Sequence, residues 1–328
     1  MGKRKSVLVT LDNDHTLAKE VIENALAVKH IINLGSINVE TFSDGETCVD
    51  FETSVRKNTV YILCSPNTAE KIIQLEFAID AARRASAKAI IPILPYFPYA
   101  RQDKKDQARG PIGAKVIASK LEMLGATTII TFDLHADQIQ GFFQIPVNHM
   151  DGKYLFVPTI KTLGLDNLVL VSPDAGGGKR VKHFRDLILR KYDVDLPIVF
   201  MDKTRKKANE IDKMVVIGDV LGKRAIIIDD MADTCGTLCT GAKVLKEDGG
   251  AISVSAIVTH AVLSSNAYEK IQDSVLDSFI CSNTLPLKEG RPSFKIKVES
   301  IAHQIMLAIL AIDKGLSIEN LKENEEYN

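Results

Sequence analysis

The adjacent carboxylates of Asp229 and Asp230, with Asp233, Thr234, Cys235, Gly236 and Thr237 close behind, form the densest group of chemistry-bearing residues in the chain. The apolar run before them predicts a buried parallel strand over Ala225 to Asp229 that ends abruptly at the acids. A helical pattern follows from Leu238 to about Lys246. Gly236 supplies freedom in φ, and Thr234 and Thr237 bring hydroxyls to the helix start. The unsatisfied N–H groups of such a turn cradle a phosphate. Acids beside the cradle accept hydrogen bonds from sugar hydroxyls, so a ribose phosphate suits both halves of the motif. Cys235 is read as a packing residue, although a helix N-terminus there would lower its thiol pKa.

Four other segments carry candidate chemistry. Phe97 to Asp106 follows a strand and offers the planar fork of Arg101 and the two-sided amide of Gln102 to a nucleotide; alone, it is equally a solvated charged loop. His135, in Asp133-Leu134-His135-Ala136, stands beyond the C-terminal end of a strand, where open α/β sheets bind ligands. It is a metal ligand or a satisfied structural histidine. Asp174 ends another strand before Gly176-Gly177-Gly178; it is placed for a hard cation such as Mg²⁺, and the glycines permit close backbone approach, or make a plain turn. The basic run from Asp202 to Asn209 is a surface loop, or one whose Lys203 and Arg205 neutralise charge on a transferring polyphosphate.

These segments sit on an α/β frame. Val7 to Leu11, Val60 to Cys64, Ala89 to Leu94 and Thr127 to Phe132 read as strands, with helices containing Leu17, Val21, Ala25 and Val28, and spanning Ile112 to Leu124. The alternation restarts with strands at Leu168 to Ser172, Ile198 to Met201 and Ile252 to Thr259, and a helix from about Lys179. The expectation is two similar α/β domains, each a mainly parallel sheet flanked by helices, at 1–152 and 153–299. The 300–328 segment is expected to pack on the first. With 328 residues, 45% of them hydrophobic, the chain can bury a substantial core. Its net charge of −1 provides no electrostatic footprint for nucleic acid. No apolar stretch of signal-peptide or membrane-span length follows Lys3-Arg4-Lys5, so no membrane association is expected. Five scattered cysteines without metal-ligand spacing point to a reducing, cytoplasmic compartment.

Taken in order, the motifs resemble those of the ribose-phosphate pyrophosphokinase (PRPP synthetase) family, built on the type I phosphoribosyltransferase fold. The resemblance covers nearly the whole chain. It implies transfer of the β,γ-diphosphoryl group of Mg-ATP to the 1-hydroxyl of ribose 5-phosphate, with Mg²⁺ as cofactor. Phe42, Asp44 and Glu46, in Phe42-Ser43-Asp44-Gly45-Glu46, match the family's adenine-contacting loop, and Arg101 and Gln102 its ATP-binding pair. His135 matches its metal signature and ATP site, and Asp174 a second metal-associated acid. Lys203 and Arg205 match the catalytic loop, and Asp229, Asp230 and Asp233 to Thr237 the ribose-5-phosphate loop. Self-association as a dimer or hexamer is implied, with the adenine loop reaching a neighbour's active site.

The chain departs from the family pattern in places. Asn148 and Gln144 stand where acids are usual. The Asn-Asp-Asn-Leu-Met-Glu-Leu stretch is replaced by Glu70-Lys71-Ile72-Ile73-Gln74-Leu75, after a shorter loop. Val9 to His15 lacks the usual glycines and serines, and Gln107, Ala108 and the C-terminal tail alter the regulatory neighbourhood. A non-catalytic associated subunit is the alternative reading, opposed by the presence of Lys203 and Arg205. A nucleobase phosphoribosyltransferase would have no use for the ATP motifs.

Overall fold

β-Branched runs too short for helices, each followed by an amphipathic stretch, build parallel strands with helical crossovers. The computed structural model describes residues 6–12, 15–204, 213–288, 290 and 293–323. The chain divides into one unit of Met1–Met150 with Ser300–Asn328 and another of Asp151–Glu299.

In the first unit, β1 (Ser6–Thr10), α1 (Thr16–Ala27) and β2 (Ile32–Leu34) precede the hairpin β3 (Ile37–Thr41) and β4 (Thr47–Phe51). Then come β5 (Thr59–Leu63), α2 (Ala69–Arg84), β6 (Ala89–Leu94), α3 (Gly113–Leu124), β7 (Ile129–Phe132) and β8 (Val147–Met150). Six strands form a parallel sheet in the order β2-β1-β5-β6-β7-β8, while β3 and β4 form a separate antiparallel pair. Val9, Ile62, Ile79, Leu94, Ala118 and Ile129 are buried in one core.

The second unit contains α4 (Lys153–Leu163), β9 (Leu168–Ser172), α5 (Gly178–Tyr192), β10 (Ile198–Thr204), β11 (Lys213–Ile217), β12 (Arg224–Ala232) and α6 (Gly236–Lys243). It continues with β13 (Ser253–Ala261), α7 (Ala267–Asp273), β14 (Ser278–Ser282) and β15 (Ile296–Glu299). The sheet order is β11-β10-β9-β12-β13-β14-β15, parallel except for the edge strand β11. Alternate residues of the central strands feed two cores, Val169, Ile227 and Val258 on one face and Leu170, Ile226 and Ile257 on the other. Burial on both faces explains why these strands read as continuous apolar runs. The two units are each a mainly parallel sheet flanked by helices, the α/β class that the alternation of strand and helix patterns predicts.

The chain closes with α8 (Ala302–Lys314) and α9 (Ile318–Glu323), which belong to the first unit. Near the end of α8, Asp313 accepts three hydrogen bonds at the N-terminal edge of the first sheet. Ser6 Oγ and His30 Nε2 lie 2.6 and 2.8 Å from one carboxylate oxygen, and the Tyr61 hydroxyl donates to the other at 2.8 Å. Burial, then the nearby carboxylate, pushes the Tyr61 hydroxyl far above its ordinary pKa and keeps it a neutral donor. Asp313→Ala orphans all three partners and is expected to cost about 2–3 kcal/mol, since each unmet buried group carries its own desolvation penalty. Thermal unfolding should then begin roughly 5–10 °C lower, with the affinity for small ligands at the opposite sheet edge unchanged.

Candidate active site

Strand β12 is longer than its apolar run. Met231 and Ala232 find ladder partners in His260 and Ala261, so the strand continues past Asp229 and Asp230 rather than ending at them. Pairing with a neighbouring strand overrides the local polarity. The Asp230 N–H donates to Asp229 Oδ1 at 2.9 Å. Both carboxylates face Arg180, in the first turn of α5, whose Nη1 lies 3.2 Å from Asp230 Oδ1 and 3.8 Å from Asp229 Oδ1. Burial, reinforced by the Asp230 charge, pushes the Asp229 carboxyl up to about 8, with Arg180 opposing the shift. Arg180 is the residue that motif reading left without a role. Its only sequence signal is its place two residues after the glycine run, and the parallel β9–β12 pairing carries it to the acids.

The loop after β12 is pinned from outside. Ser264 donates through its hydroxyl to Asp233 Oδ1 and through its N–H to the Asp233 carbonyl at 3.1 Å, and Lys270 Nζ reaches the Thr234 carbonyl at 3.0 Å. The left-handed residue is Cys235 at φ 57°, not Gly236. The N-cap of α6 is Cys235, whose side chain makes no capping hydrogen bond, so no threonine stands at the expected cap position; the first amides of a helix are natural anion donors. Cys235 packs in the core, and burial pushes its thiol up to about 12. Desolvation defeats the helix-terminus effect that would lower it. The helix itself gives way after Lys243 to a π-type turn at Val244–Asp248.

Gly236 is required neither by φ nor by its neighbours. A Cβ there would meet only Lys270 Nζ, at 4.0 Å. Gly236→Ala should therefore fold with unchanged or slightly raised thermal stability. If the space is kept for a ligand phosphate, ribose 5-phosphate affinity measured by calorimetry should fall about 10- to 100-fold, the worth of a charge-assisted hydrogen bond or two.

Asp174 and its glycines form a turn with internal hydrogen bonds. One carboxylate oxygen accepts from the Gly177 N–H at 2.9 Å, and Ser172 Oγ donates to the Asp174 carbonyl at 2.6 Å. Added Cβ atoms at Gly177 and Gly178 would come within 2.9 Å of Ser172 Oγ and 2.8 Å of Phe200. These two glycines serve internal packing, and the turn needs no positive φ. Lys203 lies on β10, opposite Met214 of β11, rather than in a loop. The pairing with β11, whose short alternating run escaped the sequence reading, extends β10 to Thr204. Arg205 lies outside the described residues.

In the first unit, the candidate segments also gather at the C-terminal strand ends. Gln102 lies across the start of α3, where its carbonyl accepts from Ala114 N at 3.2 Å. Asp103 accepts from Gln138 Nε2 at 3.2 Å, and Phe97 meets Phe143 edge-on with centroids 5.8 Å apart. These contacts join the loop of Arg101 and Gln102 to the segment following His135. Asp133 takes φ 32° and donates its N–H to the Met150 carbonyl at 3.0 Å, and the exposed His135 follows two residues later. The Leu134 N–H donates to His149 Nε2 at 2.9 Å, which requires that nitrogen to be unprotonated. His149, in β8, thus supports the His135 turn, a role visible only after β7 and β8 pair. Asn148 stands in β8 opposite Ile130, and the Gln144 N–H donates to Glu122.

Phe42, Asp44 and Glu46 occupy the exposed tip of the β3–β4 hairpin. Gly45 takes φ 89° there, and Asp44 Oδ1 accepts the Glu46 N–H at 3.0 Å. Among the described residues no three His, Cys, Asp or Glu side chains gather as a ready metal cluster. No helix among the described residues is long and apolar enough to cross a membrane.

Known proteins match this chain along most of its length. A family model described as the N-terminal domain of ribose phosphate pyrophosphokinase matches residues 6–125, and one described as the phosphoribosyl synthetase-associated domain matches residues 193–322. Ribose-phosphate pyrophosphokinase A of Dictyostelium discoideum is 43% identical over 325 residues, covering 98% of both proteins. The Wolinella succinogenes ribose-phosphate pyrophosphokinase is 44% identical over 293 residues, 88% of this chain and 92% of that protein. The crystal structure of phosphoribosylpyrophosphate synthetase from Mycobacterium smegmatis superposes with a TM-score of 0.86 at 34% identity, covering 95% of this chain and 100% of that one. Similarity at this level over the full length, in chain and in fold, places the protein: it belongs to the ribose-phosphate pyrophosphokinase family.

Proposed function

We propose that the chain is a ribose-phosphate diphosphokinase, transferring the β,γ-diphosphoryl group of ATP to the 1-hydroxyl of ribose 5-phosphate and releasing AMP. The bond from the sugar O1 to the β-phosphorus forms as the bond from that phosphorus to the α,β-bridging oxygen breaks, and the hydroxyl proton is released. The observation that carries the sugar half is the Asp229–Asp230 pair held by Arg180, followed by the uncapped start of α6. Asp229 and Asp230 accept the ribose hydroxyls, and the amides from Asp233 to Thr237 hold the 5-phosphate.

On the nucleotide side, Arg101 and Gln102 bind ATP with His135. Lys203 and Arg205 stabilise the charge that develops on the transferring group. His135 in the first unit and Asp174 in the second are each residues that would hold Mg²⁺, and the ion would supply neutralisation of phosphate charge. Membership of the family implies self-association as a dimer or hexamer, and Phe42 at the hairpin tip is exposed, as an adenine loop shared with a neighbouring copy requires. ATP and ribose 5-phosphate are its substrates. The reducing compartment suggested by the free thiols is the cytoplasm.

The test is AMP release from Mg-ATP by purified protein, with and without ribose 5-phosphate, at low and high inorganic phosphate. AMP formed only with the sugar phosphate is the expected result. Folded protein that binds ribose 5-phosphate but forms no AMP at either phosphate level would identify the non-catalytic associated subunit instead.

A further inference from the structure

Two of the segments in which this chain departs from its family touch one another. Asp12 follows β1 and Lys71 lies in the first turn of α2. Lys71 Nζ donates to Asp12 Oδ1 at 2.8 Å and to the Leu11 carbonyl at 2.9 Å. The other carboxylate oxygen of Asp12 accepts the Ser65 N–H at 3.3 Å. The backbone N–H of Lys71 donates to Thr68 Oγ1, the N-cap of α2, at 3.2 Å. Ser65 lies near the start and Thr68 at the end of the loop between β5 and α2. Asp12 therefore pins the start of that loop, Lys71 pins its end, and their ion pair joins the pins into a closed ring.

The pinned loop is one wall of a cavity of about 280 Å³. Pro66, Asn67 and Thr68 line one side, and Tyr99, Arg101 and Gln102 the other. Asp12 and Lys71 do not line it. They are about three-quarters shielded, each with 24% of its side chain exposed, so the pair is screened less than a surface bridge. We infer that the Asp12–Lys71 ion pair is a positioning element for ATP binding, setting the wall that faces Arg101 and Gln102. This rests on the pyrophosphokinase reading, which assigns those two residues to the nucleotide.

The test compares Asp12→Asn, Lys71→Met and Lys71→Arg with the full-length wild type. Calorimetry measures the affinity for α,β-methylene-ATP, whose bridging carbon blocks transfer, and separately for ribose 5-phosphate; AMP release and thermal unfolding are followed in parallel. Lys71→Met keeps the aliphatic stem and removes the charge, and Lys71→Arg restores it. Displacing a wall of the site should weaken analogue binding about tenfold in Asp12→Asn and Lys71→Met, with ribose 5-phosphate affinity held within about twofold. Lys71→Arg should recover most of the loss. Unchanged analogue affinity overturns the inference, as does a parallel loss of both affinities together with thermal stability. A wild type that binds the analogue but releases no AMP from ATP refutes the activity, while the affinity series still judges the pair.

Discussion

Lys203→Ala is expected to lower turnover by about a hundredfold or more, the usual consequence of removing a cation that meets charge only in the transition state. Ribose 5-phosphate binding should stay near its wild-type value. The separation follows from the fold, because Lys203 lies on β10 and the residues proposed for ribose phosphate on β12 and the loop after it, with β9 between the two strands. Among the described residues β10 has no ladder pairing with β12 or the loop after it, so the proposed cradle is expected to survive the substitution. Pre-steady-state AMP release together with calorimetric titration of ribose 5-phosphate checks both halves. Unchanged turnover would remove Lys203 from the mechanism, and a matching loss of sugar-phosphate affinity would make it a binding residue. Lys203→Arg should recover only part of the rate, since a planar guanidinium does not reproduce the compact ammonium charge.

The second large effect is a gain in stability accompanied by a loss of function. Asp229→Asn should raise the melting temperature of the ligand-free protein at pH 7–8 while lowering kcat/KM for ribose 5-phosphate about tenfold, the worth of one hydrogen bond to a sugar hydroxyl. Burial and the Asp230 charge lift the Asp229 carboxyl from its ordinary 3.8 to about 8. At pH well below 3.8 both folded and unfolded chains hold the proton, and the group does not affect folding. As pH rises towards about 8, the unfolded chain has lost a proton that the native protein still keeps, so native stability falls through this window. Above it the penalty is constant.

Asparagine is neutral throughout, retains an acceptor for the Asp230 N–H, and leaves Arg180 wholly to Asp230. Discounted for the partial exposure of Asp229, the relief is on the order of 1 kcal/mol, or about 2–4 °C. Thermal melts of both proteins from pH 4 to 9 should converge at the acid end and separate as pH rises. Melting curves that stay superimposed across the range would show that Arg180 already compensates the second charge. A site that is destabilising when empty and regains stability with its ligand is the expected form of a stability–function trade-off.

Much of the fold was legible as sequence because parallel strands buried on both faces must be continuous apolar runs. Ala89–Leu94 and Leu168–Ser172 carry the same bounds in the structure as in the sequence reading. Shorter or one-sided elements escaped. β11, β3 and β4 have no long apolar run, and each depends on an antiparallel partner for its hydrogen bonds. The ends of β10 and β12 were misjudged for the same reason, since a polar residue remains in a strand when a neighbour completes its ladder.

The candidate site divides along the same line. Sequence alone determined which residue types stand at the strand ends: paired acids before a glycine-containing helix start, an Arg–Gln pair, a histidine after a strand, and lysine and arginine on one segment. Residue type and order in the chain are local properties, and together they were enough to resemble one family. The partners of those residues were decided only by tertiary structure. Arg180 reaches the acids because β9 and β12 are adjacent, and His149 supports the His135 turn because β8 lies beside β7. Lys71 finds Asp12 because β1 lies beside β5, and Cys235 is a buried thiol because the core closes over it. Each depends on contacts between residues far apart in the chain, and in low-dielectric surroundings such contacts set charge, pKa and hydrogen-bond satisfaction.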